Sequence, residues 1–389
     1  MARRLLVIGA GPSGLAAALG GVARGFEVEV LEQGTIGASL LAWGPTRFFS
    51  PLAMNLPPGA RALLGERCPP DDAIVTGRAF VEEVLRPLAA APPLAGRVHE
   101  GARAIAIGRA GRKKAEYAGH PLRGERPLRV LVEEDGRERW LEADHVLDAT
   151  GVTTPTAIGA GGLPAPGERA HAGRAIRDLG TLDARRDALA AGRVLVVGHG
   201  HSAANAMNVL AALADAGAGL HVTWAVRTLN QRPCVEVASD PLTERRDIVA
   251  RANALAARPP AWLRLERRAQ VEAIAAPTGD AGPLAITLSG GRTVRADHLI
   301  ALTGYRPAAG LVDELTADVS PVTGGAAGLA RALANVTDCL ACPAVAPSEL
   351  ASGEPGFAFA GARSYGRSST FLLQTGYAQL ATILDGFAA

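Results

Sequence analysis

The sequence predicts an α/β fold of two three-layer domains, each built on a parallel sheet and carrying a β-meander, and three observations predict it. A strand that runs into a glycine-rich turn and a helix occurs twice. Each copy is closed by the same phrase, Ala-Asp-His, an apolar strand and Thr-Gly, at 143–151 and again at 296–304. The chain of 389 residues is long enough for two domains with separate cores.

The first copy reads Leu5-Leu-Val-Ile-Gly-Ala-Gly-Pro-Ser-Gly14. Gly9 makes the tight turn, Gly11 lets backbone approach a pyrophosphate, and Gly14 lets the following helix pack on the strand. That helix starts at Pro12 and Ser13, with free N–H groups and a positive dipole end for a phosphate. A second strand, 26–31, ends at Glu32, which stands 18 residues after Gly14 with Gln33 beside it. A carboxylate there can hold both hydroxyls of an adenosine ribose. This is the Rossmann-like dinucleotide site.

Residues 34–59 form a Gly-rich excursion holding Trp43, Arg47, Phe48 and Phe49. It leaves the carboxyl edge of the sheet, where ligands sit in such folds. Trp43, Arg47, Tyr305 and Tyr365 are therefore candidates for the substrate face. The other reading is that these aromatics pack on the domain. A linker at 69–72 precedes a helix over 77–88, whose Phe80, Val81, Val84, Leu85 and Leu88 share one stripe. A strand over 97–107, a basic loop over 108–126 and a hairpin of 128–132 with 139–147 lead to Asp148-Ala-Thr-Gly151. Thr150 and Gly151 close the first site.

The Gly- and Pro-rich stretch 152–170 is the crossing between domains. The second copy, Arg193-Val-Leu-Val-Val-Gly-His-Gly-His-Ser-Ala203, puts Gly198, Gly200 and Ala203 in the three slots, with His201 and Ser202 opening the helix. Its second strand, 220–226, ends at Arg227, with Arg232 five residues on. An arginine at that place accommodates a 2′-phosphate, so NADPH is preferred over NADH. As solvated loop residues, the two arginines would carry no such preference. A meander over 262–301 closes this domain, and Thr303-Gly304 returns the chain to the first. The frame is thus 1–160 with 302–389 for the first domain and 161–301 for the second. Two sites imply two dinucleotides. After a small-residue loop, 316–347, comes a buried strand over 356–361 ending at Gly361. A helix over 368–384 follows, with Ser368, Ser369 and Thr370 in its first turn.

Forty basic and 38 acidic residues nearly cancel, which points to neither nucleic acid nor an anionic membrane surface. No apolar run approaches the length of a bilayer span. Met-Ala-Arg-Arg before an apolar run imitates a signal peptide, yet the glycine turn occupies that run, so the expected compartment is the cytoplasm. Four cysteines (Cys68, Cys234, Cys339, Cys342) make no secreted-type disulfide framework. His199 and His201 flank Gly200 without a further ligand at metal spacing, and no metal is expected.

With these motifs on hand, the arrangement resembles the two-dinucleotide-binding-domain flavoproteins, a group that includes disulfide reductases and flavin-containing monooxygenases. The stretches Val222-Thr-Trp-Ala-Val-Arg227 and Ser364-Tyr-Gly-Arg-Ser-Ser-Thr-Phe-Leu-Leu-Gln-Thr-Gly-Tyr377 resemble a bacterial monooxygenase-like branch. The resemblance implies an FAD domain interrupted by an NAD(P)H domain. It implies that Gly9, Gly11, Gly14 and Glu32 hold FAD, and that Gly198, Gly200, Ala203 and Arg227 hold NADPH. Gly361, the polar helix start and Gly304 would lie near the cofactors. Where many relatives place an Asp after the late glycine, this chain has Arg363 and Ser364.

The resemblance also frames the chemistry. A disulfide reductase of this group needs a cysteine pair against the flavin, and 37–50 holds no cysteine while Cys234 is single in the second domain. Cys339-Leu-Ala-Cys342 stands in the late loop, as two reduced thiols or as a redox pair. Monooxygenases need no catalytic cysteine; their protein positions substrate and excludes water. Their Phe-x-Gly-x-x-x-His signature survives here only as Gly167 and His171. The expected function is NADPH-driven oxygenation of a small-molecule substrate with dioxygen. The alternative is a reductase that passes electrons to a quinone, metal species, disulfide or protein. A homodimer is compatible with either.

Overall fold

The computed structural model describes residues 2–276 and 282–389. It divides into two units. One comprises the segments ending at Leu41, Pro51–Thr154 and Tyr305–Ala389; the other comprises Ala42–Ser50 and Pro155–Gly304. The excursion at 42–50, expected in the first domain, groups with the second.

In the first unit Leu5, Leu6, Val7 and Ile8 are all buried, as a strand covered on both faces requires. Their strand, Arg4–Ile8, sits between Glu27–Glu32 and His145–Asp148 in a five-stranded parallel sheet. Phe357–Phe359 and Val98–Glu100 are its edges. The central strand thus has its sequence neighbour on one side and the closing strand on the other. That is the switch point where a crevice opens at the strands' carboxyl ends.

Four expectations are corrected here. The strand expected over 97–107 is two strands, because Gly101 (φ +78) breaks the extended run. Val98–Glu100 joins the parallel sheet, whereas Arg103–Arg109 opens an antiparallel meander with Leu128–Glu134 and Arg137–Ala143. The last two strands meet at Asp135-Gly136, both at positive φ (51 and 71), the turn whose twist suits a hairpin. The second arm stops at Ala143, so the 139–147 strand is likewise divided between two sheets. The last helix is Leu373–Ala388, not 368–384. Gly361 and Gly366 bracket a separate short helix, Ala362–Tyr365, and the Ser368 and Thr370 hydroxyls bond each other at 2.9 Å. The expected loop 316–347 also contains a helix, Ala327–Ala332.

The helix expected over 77–88 is continuous from Gly77 to Ala90, with one wider π turn at Val81–Leu85. Thr76 Oγ1 caps it by accepting from the Ala79 N–H at 3.1 Å. The terminal helix packs on Pro12–Ala23, where a Cβ on Gly20 would lie 2.7 Å from Leu384. His145 stacks on Phe387 with centroids 4.4 Å apart and meets Phe26 edge-on at 5.5 Å. Neither of its ring nitrogens has a partner among the described residues. Burial, then the charge of Arg3, pushes the His145 pKa down from 6.5. The unfolded chain therefore takes up a proton that the fold resists, and stability falls as pH drops below about 6.5. Thermal melts at about pH 5.5 and pH 8 should show this loss, and His145→Phe should flatten that part of the difference.

The second unit repeats the plan. Ala191–Val197 lies between Gly219–Val226 and His298–Ala301, with Leu263–Arg267 and Ala175–Ile176 at the edges, all parallel. Val271–Ala275, Leu284–Leu288 and Arg292–Ala296 form its meander; residues 277–281 of the expected 262–301 segment lie outside the described residues. A helix the pattern did not announce, Thr243–Ala257, packs on the fingerprint helix His201–Asp215. Among the described residues no helix is long and apolar enough to cross a membrane.

Candidate functional site

At the first turn each glycine answers to a different constraint. Gly9 lies at φ +103, and a Cβ there would stand 2.7 Å from the Ala149 carbonyl oxygen. A Cβ on Gly14 would lie 1.8 Å from the Gly9 oxygen, the close approach that seats the helix on the strand. Gly11 is different: its backbone is ordinary and extended (φ −79, ψ −174), and a Cβ would meet nothing within 4 Å. Space for a ligand, not protein contact, is what a side chain at Gly11 would fill. Helix Pro12–Ala23 starts there without a side-chain cap, so its first-turn N–H groups are left for a ligand.

Glu32 is already aimed. Its Oε2 accepts from the Ala10 N–H and its Oε1 from the Gly34 N–H, both at 2.9 Å. Each oxygen keeps a lone pair for a ribose hydroxyl. Gln33 is exposed beside it. Gly361 comes from the far end of the chain to the same place: at φ +60, its Cβ would sit 2.1 Å from Ser13 Oγ. Ser13 is therefore taken up in packing.

Several expected site residues do other work. Thr150 donates both its N–H and its hydroxyl to Asp148 Oδ1, at 3.1 and 2.6 Å. Arg363 Nε donates to Asp148 Oδ2 at 2.8 Å, and its guanidinium lies 4.4 Å from the Phe359 centroid. Arg363 thus binds the late turn to the closing strand as a buried ion pair. Tyr365, expected at the substrate face, is 2% exposed and accepts from Gln379 Nε2 at 2.9 Å. Burial pushes its hydroxyl up to about 12, so it is a core phenol. Thr370, expected in a helical first turn, is a buried loop residue. Gly151 (φ +73) keeps open space around its Cβ position.

The second turn follows the same geometry. Gly198 lies at φ +123 with a Cβ position 2.3 Å from the Leu302 oxygen, while Gly200 is extended (φ −82, ψ −175) and faces open space. Ala203 is fully buried where the helix crosses the strand, Ser202 is exposed, and His201–Asp215 also starts without a side-chain cap. Trp224, fully buried, donates its indole N–H to the Gly198 carbonyl at 2.8 Å and braces the turn. In both units the residues present fit a dinucleotide: an uncapped helix start, and room at the middle glycine.

Two arginines act on the histidines of the second turn, Arg227 on His199 and Arg245 on His201. Arg227 is exposed just past its strand, and Arg232 is ion-paired with Glu236 at 3.1 Å. Burial, then the Arg227 charge, pushes the His199 pKa down. His201 shows part of its surface to solvent, but dense protein around it and the Arg245 charge push its pKa down too, against Asp240. Asp240 and Arg245 form a buried two-point ion pair at 2.6 and 2.8 Å. Gly304 (φ +95) ends the closing strand, and Thr303 meets Thr156 Oγ1 at 3.1 Å.

The excursion 42–50 rests on this unit. Gly180 N–H donates to the Ala42 carbonyl at 2.9 Å, Arg47 pairs with Glu244 at 3.3 Å, and Phe49 meets the His201 ring at 5.2 Å. Trp43 packs on Phe48 at 5.0 Å. Trp43 and Arg47 accordingly belong to the second unit. Gly167 (φ +84) meets Ile274 backbone, with a Cβ position 1.8 Å from its oxygen, so the Gly-to-His spacing toward half-buried His171 serves packing. Asp240 and Arg245 were not picked out by motif, and Trp224 stood in the quoted stretch 222–227 without a role of its own.

A family model described as pyridine nucleotide-disulphide oxidoreductase matches residues 3–322. No curated protein sequence matches the chain. Among solved structures, bacillithiol disulfide reductase of Bacillus cereus superposes with a TM-score of 0.70 at 18% identity, covering 100% of this chain and 99% of that one. Ornithine N-hydroxylase of Kutzneria sp. 744 gives 0.65 at 16% identity, with 100% and 99% covered. Thioredoxin reductase of T. acidophilum gives 0.61 at 15% identity, again with 100% and 99% covered.

Proposed function

We propose, for a chain that belongs to the pyridine nucleotide-disulphide oxidoreductase family, that it oxygenates a nucleophilic heteroatom or carbonyl of a small molecule with dioxygen and NADPH. The coarser statement stands on the family: the chain is an FAD-dependent oxidoreductase that uses a nicotinamide dinucleotide. FAD, when bound, supplies the redox chemistry. The protein's share is to hold one pyrophosphate at Gly11 and the uncapped Pro12 helix, and to fix the ribose through Glu32. A second pyrophosphate goes to Gly200 and the His201 helix.

The observation that carries the oxygenase reading is the placement of the thiols. The first turn carries Ser13 packed under Gly361, and no cysteine lies between residues 37 and 50. Cys234 is buried, and burial pushes its thiol up to about 12. Cys68 is buried and raised likewise. None of these is the ionised thiol that disulfide reduction needs. Similarity to an ornithine N-hydroxylase supports the reading; similarity to a bacillithiol disulfide reductase supports the other, a reductase working through the half-exposed Cys339 and Cys342. The reducing cytoplasm suits four thiols and either chemistry.

The test begins without air: NADPH should bleach the flavin. Admitting labelled dioxygen with a panel of primary amines, thioethers and ketones should then put one oxygen atom into a product. Consumption of NADPH with unlabelled products throughout, and fast turnover with a disulfide instead, would sink the oxygenase reading.

Arg227 carries the cofactor preference. Its Ala variant should raise the NADPH KM about tenfold or more, the worth of one charge-assisted phosphate contact, and leave the NADH KM unchanged. Equal effects on both would show that Arg227 does not meet a 2′-phosphate.

A further inference from the structure

We propose that Cys339 and Cys342 form a thiol–disulfide exchange site that takes small organic disulfides and signals its redox state to residues 366–372. This goes beyond the flavin chemistry and does not depend on it.

The four cysteines are all thiols, and they divide sharply. Cys68 and Cys234 are 6% and 3% exposed, whereas Cys339 and Cys342 are half-exposed. The second pair occupies one tight turn: Cys339–Ala341 is a 3-10 helix, capped by Asp338 Oδ1, which accepts from the Leu340 N–H at 3.2 Å. Cys342 caps that turn, and residues three apart in such a helix stand about 6 Å apart along the axis. This falls within the Cα separation of roughly 4.4–6.8 Å that a disulfide spans. One tight turn therefore carries both thiols, with Cys342 at its C-terminal cap.

The turn is also wired to its surroundings. Cys342 Sγ donates to the Thr370 carbonyl at 3.3 Å. Thr370 is 3% exposed and lies in the chain leading to the terminal helix. The next residue, Phe371, lies close to the Gly361 and Gly376 Cβ positions and meets Tyr365 edge-on at 5.1 Å. A thiol donates to that carbonyl; a disulfide sulfur has no proton to donate. Oxidation therefore deprives a buried carbonyl of its donor, and this is how the redox state reaches 366–372.

The exchange balances without the flavin. The Cys339 sulfur attacks one sulfur of the disulfide RS–SR, forming a mixed disulfide and releasing one RS⁻. The Cys342 sulfur then attacks the Cys339 sulfur and releases the second RS⁻. The two thiol protons leave with the products as two RSH, the external disulfide is reduced, and the protein pair is oxidised. Cys339 is the attacking partner because the Cys342 thiol is engaged by the Thr370 carbonyl, and burial raises the Cys342 thiol as well.

The experiment uses the flavin-loaded protein in a series of glutathione and glutathione disulfide ratios, without NADPH. Thiols reactive toward a pyridyl disulfide should fall from two to none in a single step, and the monomer mass should fall by two hydrogens. Cys342→Ser should stop at a stable glutathione adduct on Cys339. Hydrogen exchange at 366–372 should quicken severalfold in the oxidised form and remain unchanged elsewhere in the terminal helix. Two thiols that persist through the oxidising buffers, or that pair between chains, overturn the site. Unchanged exchange at 366–372 overturns the signalling.

Discussion

Replacing Glu354 by Ala is expected to cost the first unit about 3–5 kcal/mol, the penalty for leaving buried charge without its partner. Glu354 is 3% exposed and is the meeting point of two guanidinium groups. Arg123 Nε donates to its two oxygens at 3.0 and 2.8 Å, and Arg109 Nε donates at 3.1 Å. Thr316 adds its N–H at 2.8 Å and its hydroxyl at 2.7 Å. Arg123 also reaches the carbonyls of Lys113, Lys114 and Glu116, so the basic loop is threaded onto one buried carboxylate. Removing it leaves two guanidinium groups uncompensated in the core. A thermal melt of the variant should lose roughly 10 °C. Proteolysis should cut first within 108–126.

The same carboxylate sets an acid limit. Burial pushes its pKa up, but the bonds from Arg109, Thr316 and Arg123 outweigh burial and hold it below the ordinary 4.5. A carboxyl whose folded pKa is depressed stabilises the fold above the unfolded value, and that stability is lost as pH falls through the folded value. The wild-type acid transition should therefore be steep below about pH 4.5, and Glu354→Gln should start from lower stability with a shallower descent. A Gln variant as stable as wild type at neutral pH would show the charge to be dispensable.

What the sequence made legible was whatever depends on backbone pattern within a few residues. Both glycine turns, the acid at Glu32, the apolar strands and the paired Thr-Gly endings follow from local rules, and the two parallel sheets assemble around them. What stayed hidden depends on partners distant in the chain. Nothing near Arg363 announces Asp148, 215 positions away. Nothing in Tyr365 says whether its hydroxyl meets a substrate or Gln379. A strand that changes sheets at Gly101 keeps its alternation on both sides of the break, so periodicity alone reads it as one. The excursion holding Trp43 and Arg47 was legible as an excursion, but its resting place is decided by Gly180, Glu244 and His201, which no local pattern links to it.

The second large effect separates folding from binding inside a single turn. Gly11→Ala and Gly14→Ala differ by three positions, yet they should fail differently. At Gly14 the added carbon would fall 1.8 Å from the Gly9 carbonyl oxygen. Strand and helix must part, and both the fold and the flavin should be lost. At Gly11 the backbone is one that any residue adopts, and the added carbon touches no protein atom within 4 Å. It enters the space before the uncapped helix, where a pyrophosphate accepts hydrogen bonds each worth about 1.5–3 kcal/mol. Gly11→Ala should fold with the circular dichroism and apoprotein melting temperature of the parent, yet lose flavin affinity by about tenfold to a hundredfold. Gly200→Ala offers the same separation in the second unit, since its backbone and surroundings match. That variant should stay yellow and resist bleaching by NADPH. A colourless Gly200→Ala protein, or a Gly11→Ala protein that binds flavin as tightly as the parent, would mean that these turns do not receive the phosphates.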